Sequence, residues 1–175
     1  MDSHIKVASF EYLLHQFISW SQEDFPEVSI LSFTRLKSLK LLFFVSAIKN
    51  KEGNDILDIF NNFYALKNGP VESDIYNCIT ADKLEFYSFK DYSFREKKSF
   101  NLNVSDELKV KLDLAIDALR AQNKNIVSYS AYQLVSISHY WNAWQKAFML
   151  ANAYGKGSYR MGVSMIRESN QIFKL

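Results

Sequence analysis

Stretches of apolar residues at helical spacing alternate along this chain with short polar breaks. The first stretch, from His4 to about Trp20, carries one apolar stripe and predicts an amphipathic helix. A second helix is predicted after Thr34, a plausible N-cap, and extends to Asn50. Its apolar residues widen to nearly the whole circumference between Leu41 and Ile48, which is typical of a helix enclosed by the core.

The segment FYALKNGPVESDIYNCI places one of five glycines next to one of two prolines. A short helix is predicted from about Ile56 to Leu66, with Gly69 as its left-handed C′ residue. Pro70 cannot continue that helix, but its fixed φ suits the first turn of another. Glu72 and Asp74 would lie in this first turn, where the helix dipole favours negative charge. The pattern therefore predicts a helix–corner–helix unit.

The second half of the chain predicts further helices after a less regular segment. Alternating residues between 84 and 104 allow two short strands around a charged turn. Ser105 is expected to cap a helix ending near Gln122. The next helix opens at Ser128 or Ser130, Ser138 could cap another, and residues 163–173 have weak helical spacing. We predict a mainly α fold, a compact multi-helix domain over residues 1–175 with a possible β hairpin around 84–104.

Composition restricts the class of protein. The chain has 175 residues, of which 48% are hydrophobic and 15% aromatic, which suits a folded globule. One cysteine, Cys78, can form neither an internal disulfide nor a zinc cage, so we expect a reducing cytoplasm. No signal peptide is expected, and the densest apolar stretch is too short for a membrane span.

Charge is unevenly distributed along the chain. From Ala118 onward there are seven basic residues and one acidic residue, whereas the preceding part has fourteen basic and eighteen acidic residues. Such polarity can steer a charged partner. A segment with so few basic residues is more often a solvated surface than a nucleic-acid groove. Nucleic acid is therefore the alternative partner and not the first choice. That alternative would use four residues: Lys146, Lys156, Arg160 and Arg167.

Enzyme signatures are largely missing from the sequence. No phosphate-binding glycine loop, nucleophile elbow or zinc-protease motif occurs, and the three histidines lack ligand-like spacing. We therefore expect no catalytic residue, cofactor or metal. The remaining enzymatic alternative pairs His139 with an acid such as Glu72, which requires both side chains to converge in one pocket.

Two features suggest binding rather than catalysis. Lys40 lies inside the most apolar helix, where it either snorkels to solvent or pairs with a carboxylate or carbonyl at the corner. The aromatic segment from Phe86 to Phe100 either folds back as a satellite core or forms a patch that faces a partner. The candidate contacts in that patch are Phe89, Tyr92 and Arg95.

Three segments together resemble the Panacea domain family, which includes the SocA antitoxin and phage-associated GepA proteins. They are the helix RLKSLKLLFFVSA, the corner FYALKNGPV…IY and the late segment LVSISHYWNAW. The resemblance spans about residues 32–150. The residues that carry this signature are Lys40, Phe63, Ala65, Gly69, Pro70, Val71, Tyr76, His139 and Trp144.

The resemblance implies a mostly helical cytoplasmic protein of bacterial or phage origin. It implies an antitoxin that neutralises a cognate toxin by direct contact, in some members with delivery of the toxin to a protease. The family brings no established catalytic residues. In the central helix this chain has Phe43-Phe44 where the family pattern ends in tyrosine.

Overall fold

A computed structural model describes residues 3–90, 93–102 and 104–169. Helix α1 spans Ser3–Asp24 and helix α2 spans Arg35–Ala47. Thr34 caps α2 as expected, since its side chain accepts a hydrogen bond from the Lys37 backbone N–H. Ten of the thirteen α2 residues are buried, so the prediction of a central enclosed helix is confirmed.

The helix–corner–helix prediction is wrong. Residues 56–62 form turns, and the chain then folds into strands β1 (Phe63–Leu66) and β2 (Gly69–Glu72) before helix α3 (Ser73–Thr80). The side chain of Asp55 accepts a hydrogen bond from the Leu57 N–H, a local turn that competes with helix formation. The corner is therefore an antiparallel hairpin whose loop is Lys67-Asn68.

Strand β1 lies in the middle of a three-stranded antiparallel sheet in the order β2-β1-β5. Strand β5 is formed by Tyr159–Arg160, late in the chain. Tyr64 pairs with Arg160, and the Met161 N–H donates to the Phe63 carbonyl at 2.8 Å. Strand β1 thus pairs on its second side with a strand almost a hundred residues away in the sequence.

A second, smaller hairpin lies within 84–104, as predicted, although its second strand begins at Arg95, in the charged segment 95–98 that was expected to be the turn. It pairs β3 (Tyr87–Ser88) with β4 (Arg95–Glu96). Four of its aromatic side chains are buried and join the main hydrophobic cluster, which agrees with the satellite-core interpretation. They are Phe86, Tyr87, Phe89 and Phe94.

The remaining helices are α4 (Asp106–Gln122), α5 (Ala131–Ser138), α6 (Asn142–Ala153) and α7 (Val163–Arg167). Ser105 caps α4 as predicted. Ser130, of the two candidates, caps α5 in a complete capping box with Gln133. Ser138 does not cap the next helix, because it is the last residue of α5.

The core forms where α2 packs against α1, α4, α5 and strand β2. The described residues confirm the expected fold class, a mainly α single domain with a short hairpin near 84–104. Among them, no helix combines the length and the apolar composition that crossing a bilayer requires.

Candidate functional site

The hairpin β1–β2 positions the signature residues. The Ser73 N–H donates to the Asn62 carbonyl at 2.9 Å, which marks these two residues as a hydrogen-bonded pair. Antiparallel pairs alternate, so Ala65 and Pro70 form a non-hydrogen-bonded pair whose backbone groups point away from each other. Proline has no N–H to lose at this position, but its carbonyl needs a partner outside the hairpin.

Lys40 supplies that partner from the middle of α2. Its Nζ donates to the Pro70 carbonyl oxygen at 2.6 Å, and the whole side chain is buried. Burial lowers the pKa of Lys40 to about 7, because the charged form is desolvated. The expectation that this lysine either snorkels or pairs with a carbonyl is thus resolved in favour of the carbonyl.

Gly69 lies where two helices meet the hairpin. Its φ is +90°, which confirms the predicted left-handed conformation, although in a strand and not at a helix end. A Cβ at this position would lie inside the van der Waals distance of Ser138 Oγ and 3.1 Å from Lys40 Cε. Helices α2 and α5 therefore approach the backbone at Gly69 as closely as a glycine allows.

His139 and Trp144 hold the loop end of the hairpin. Their rings stack at a centroid distance of 3.9 Å and an interplanar angle of 8°. Trp144 Nε1–H donates to the Leu66 carbonyl at 3.0 Å. Burial and the nearby Lys40 ammonium lower the pKa of His139, against a smaller opposite effect from the Lys67 backbone. The net effect favours the neutral form of the imidazole.

The other signature residues lie around the same hairpin. Phe63 is buried and contacts the Phe43 ring edge-on at 5.4 Å. Ala65 and Val71 are buried too. Tyr76 is half-buried on α3 beneath the Arg35 guanidinium, which lies 5.2 Å from its ring centroid. Three segments separated in sequence thus meet at one hairpin, mostly inside the protein.

The opposite end of β2 holds a buried ion cluster that the sequence did not predict. Lys6 Nζ donates to Glu72 Oε1 at 2.8 Å and to Asp74 Oδ2 at 2.6 Å. Glu72 is fully buried and also caps α3, since its Oε2 accepts the backbone N–H groups of Asp74 and Ile75. The predicted role of the two carboxylates at a helix N-terminus is therefore confirmed.

Glu72 and His139, the pair named for the enzymatic alternative, are not brought together. Glu72 bonds Lys6 and the start of α3, whereas His139 lies at the loop end of the hairpin. Cys78 is half-buried on α3, where burial raises the pKa of its thiol. Within the described ranges, no three His, Cys, Asp or Glu side chains come together in a way that could hold a metal ion.

The predicted partner contacts differ in accessibility. Phe89 is only 8% exposed and packs edge-on against Phe94 at 5.7 Å. Arg95 is exposed on β4, while Tyr92 lies outside the described residues. Of the described pair, Arg95 is the side chain that a partner can touch directly.

The residues named for nucleic-acid binding do not form a uniform group. Lys146, Lys156 and Arg160 are exposed. Arg167 instead makes two hydrogen bonds to the Asp55 carboxylate, at 2.8 and 3.0 Å. That ion pair holds α7 against the loop before β1.

Comparison with known families identifies this arrangement. Residues 39–145 match the family model described as "Antitoxin SocA-like, Panacea domain". No curated protein and no solved structure matches the chain. The matched range covers more than half of the chain and contains Lys40, both strands of the first hairpin, His139 and Trp144. The chain belongs to the SocA-like Panacea family.

Proposed function

We propose that this member of the SocA-like Panacea family binds and neutralises a cognate toxin by direct protein–protein contact. Family membership supports an antitoxin-like role. The structural observation that carries the proposal is that signature residues stabilise the first hairpin. Lys40 and Trp144 both donate to hairpin carbonyls, so these side chains are engaged in holding backbone and not in an open pocket.

Steric occlusion by a preformed surface is the mechanism that suits such a scaffold. The hairpin is fixed by α2 at Pro70 and by α6 at Leu66. A surface carried on elements anchored in this way is ordered before the partner arrives, which reduces the entropy cost of binding. In this mechanism the chain would block the toxin by covering part of its surface, and neither protein would be chemically changed.

A growth assay tests the proposal. The product of the open reading frame adjacent to this gene is expressed alone and together with this chain, with a frameshifted version of the chain as control. We expect growth arrest by the neighbour alone and recovery with the intact chain. Arrest that persists despite a soluble, folded chain would contradict the proposal.

The level of the neighbouring protein distinguishes two ways of neutralising it. Occlusion leaves its amount unchanged and recovers it in a complex with this chain. Delivery to a protease, which the family resemblance also implies, lowers its amount in protease-proficient cells only. We expect the first result, because a preformed surface needs no further factor.

Arg95 is our proposed contact on the smaller hairpin, together with Tyr92. The Arg95→Ala and Tyr92→Ala substitutions are combined in one variant for a pull-down with the same neighbouring protein. Loss of the complex, with an unchanged thermal midpoint, would support these contacts. Full retention would place the contact surface on other elements.

A further inference from the structure

Several basic side chains in the second half of the chain form no ion pair among the described residues. No Asp or Glu occurs between Ala118 and Arg167. Lys124, Lys146, Lys156 and Arg160 are all exposed, and none of them forms an ion pair within the described part of the chain. On other elements, by contrast, Lys97 pairs with Asp82 at 3.1 Å and Lys111 pairs with Asp58 at 2.6 Å. The unpaired positive charge is available to an outside partner.

Large apolar and aromatic side chains also lie exposed in the second half of the chain. Tyr132 is 80% exposed on α5, Tyr140 is 54% exposed after it, and Met149 is 65% exposed on α6. Exposed side chains of this size are uncommon as a group on a monomeric surface and mark interaction sites. Tyr and Met are also enriched in the buried centre of protein interfaces. Tyr is among the residues that contribute most of the binding free energy.

These side chains lie on both helices and on the turn that joins them. Tyr132 and Ser136 are four residues apart, so they share one face of α5, and Tyr140 lies in the turn that follows this helix. On α6, Gln145 and Met149 are related in the same way. Gln145 Nε2–H donates to the His139 carbonyl at 2.9 Å, which joins the start of the α6 row to the end of the α5 row.

We propose that this α5–α6 surface, made by Tyr132, Ser136, Tyr140, Gln145, Lys146 and Met149, binds an acidic face of the toxin. The inference rests on the proposed function and adds the location and the chemistry of the contact. The tyrosines and Met149 supply apolar contact area. The Lys146 ammonium attracts carboxylates, which speeds association and orients the partner.

A protein fits this surface better than a nucleic acid does. Nucleic-acid grooves track the phosphate backbone with closely spaced basic side chains. Here Lys146 is the one basic residue within the α5–α6 surface, and Arg167, another residue named for nucleic-acid binding, is already paired with Asp55. An apolar centre with a basic edge is instead typical of a protein interface.

Binding measurements with matched variants test the proposal. The probe is the purified product of the open reading frame adjacent to this gene, titrated calorimetrically. The double variant Tyr132→Ala/Met149→Ala should bind about 30-fold more weakly, as expected when an interface loses about 2 kcal/mol. Leu31→Ala is the matched control, because Leu31 is 63% exposed on another element. It should leave affinity within about threefold.

The charge contribution is measured separately by association rates at low and high salt. Lys146→Glu should slow association about tenfold at low salt and weaken its salt dependence. Lys51→Glu, an exposed lysine in the loop before β1, is the control and should change the rate little. All four variants alter exposed side chains, so thermal unfolding should show that each one folds.

The outcomes separate this inference from the proposed function. Growth recovery and binding that survive in both α5–α6 variants would overturn the surface but keep the antitoxin-like role. Failure of the unaltered chain to bind or neutralise the probe would overturn both. Steeply salt-dependent binding of a 20-base-pair duplex, lost in Lys146→Glu, would replace the toxin with a nucleic acid and overturn the assignment to protein.

Discussion

Strand β2 is held at each end by a buried lysine, and the two lysines behave in opposite ways. At one end Lys6 bonds two carboxylates, Glu72 and Asp74. At the other end, the Pro70 carbonyl is the one hydrogen-bond acceptor of Lys40 among the described residues. Burial alone would lower the pKa of Lys6, but hydrogen bonds to Asp74 and Glu72 outweigh it and raise that pKa. Burial of Lys40 meets no such compensation.

The difference shows that the partner, and not burial, decides what a buried lysine does. A carboxylate stabilises the ammonium through its full charge, whereas a carbonyl dipole stabilises it less. The ion pairs of Lys6 therefore stabilise this end of β2 over a wide pH range. At the Lys40 end, the side chain bonds the Pro70 carbonyl, and its charge changes near neutral pH.

Glu72→Ala should have the largest effect on stability, because it removes a partner from a buried ion pair and a helix cap at once. We expect a loss of about 3–5 kcal/mol in the free energy of unfolding. Urea denaturation measures this loss. Asp58→Ala is the control, since it removes an ion pair with Lys111 at the surface and should cost under about 1 kcal/mol. Equal costs would mean that the Lys6 end contributes no more than a surface pair.

Gly69→Ala should cost about 2–4 kcal/mol, because a Cβ both meets Ser138 and is forced into a left-handed conformation. Gly53→Ala separates the two effects: Gly53 also has a positive φ, +80°, but no atom lies within 4 Å of its Cβ position. It should cost about 1 kcal/mol. If the two variants were equally unstable, the close approach of α5 would contribute nothing.

Lys40→Met should change the pH dependence of stability. Between about pH 7 and 10.5 the unfolded chain holds the Lys40 proton while the folded chain has lost it, so stability rises with pH. The free energy of unfolding of wild type minus that of Lys40→Met should therefore increase by up to about 1.4 kcal/mol per pH unit in this window. Taking the difference removes the contribution of Lys37, whose pKa is lowered to about 8 by burial.

The Lys6 end predicts the opposite sign. A raised pKa means that its stabilisation is present below pH 10.5 and is lost only as pH rises through the folded pKa. Denaturation curves from pH 7 to 9.5 measure the Lys40 end, because the contribution of Lys6 stays constant over that range. A difference curve for Lys40→Met that stays flat would show that Lys40 keeps its proton in the folded protein.

Trp144→Phe should have the smallest effect, about 1 kcal/mol, since it removes one hydrogen bond to the Leu66 carbonyl and keeps an aromatic ring against His139. Thermal unfolding measures the change. Tyr132→Phe, which alters a ring that is 80% exposed, is the matched control and should stay within about 0.5 kcal/mol. A Trp144→Phe variant as stable as wild type would show that the loop end needs no donor from α6.

Local residue chemistry in the sequence was sufficient to predict several structural features. Thr34 and Ser105 have the residue types that cap helices, and both do so. The position of Lys40 in an apolar helix predicted a need for a polar partner, and a carbonyl was one of the options. The left-handed conformation of Gly69 was also predictable, because glycine adopts it without strain.

The first hairpin was not predictable from local pattern. A four-residue run such as Phe63–Leu66 fits helical and strand spacing almost equally, and Gly-Pro marks helix ends and turns alike. Its strands form because β5 pairs with β1 and Lys40 reaches Pro70. The pairing of Lys6 with Glu72, 66 residues apart, leaves no local signal either.

The bond from Trp144 to Leu66 joins residues 78 positions apart, and that separation has a consequence during synthesis. A ribosome that adds about 5–20 residues per second needs about 4–16 s to make the intervening chain. Throughout that interval the nascent hairpin lacks its α6 donor and depends on Lys40 of α2 and Lys6 of α1. A message cut short before codon 144 would therefore yield a protein with its loop end unsecured, however complete its N-terminal helices are.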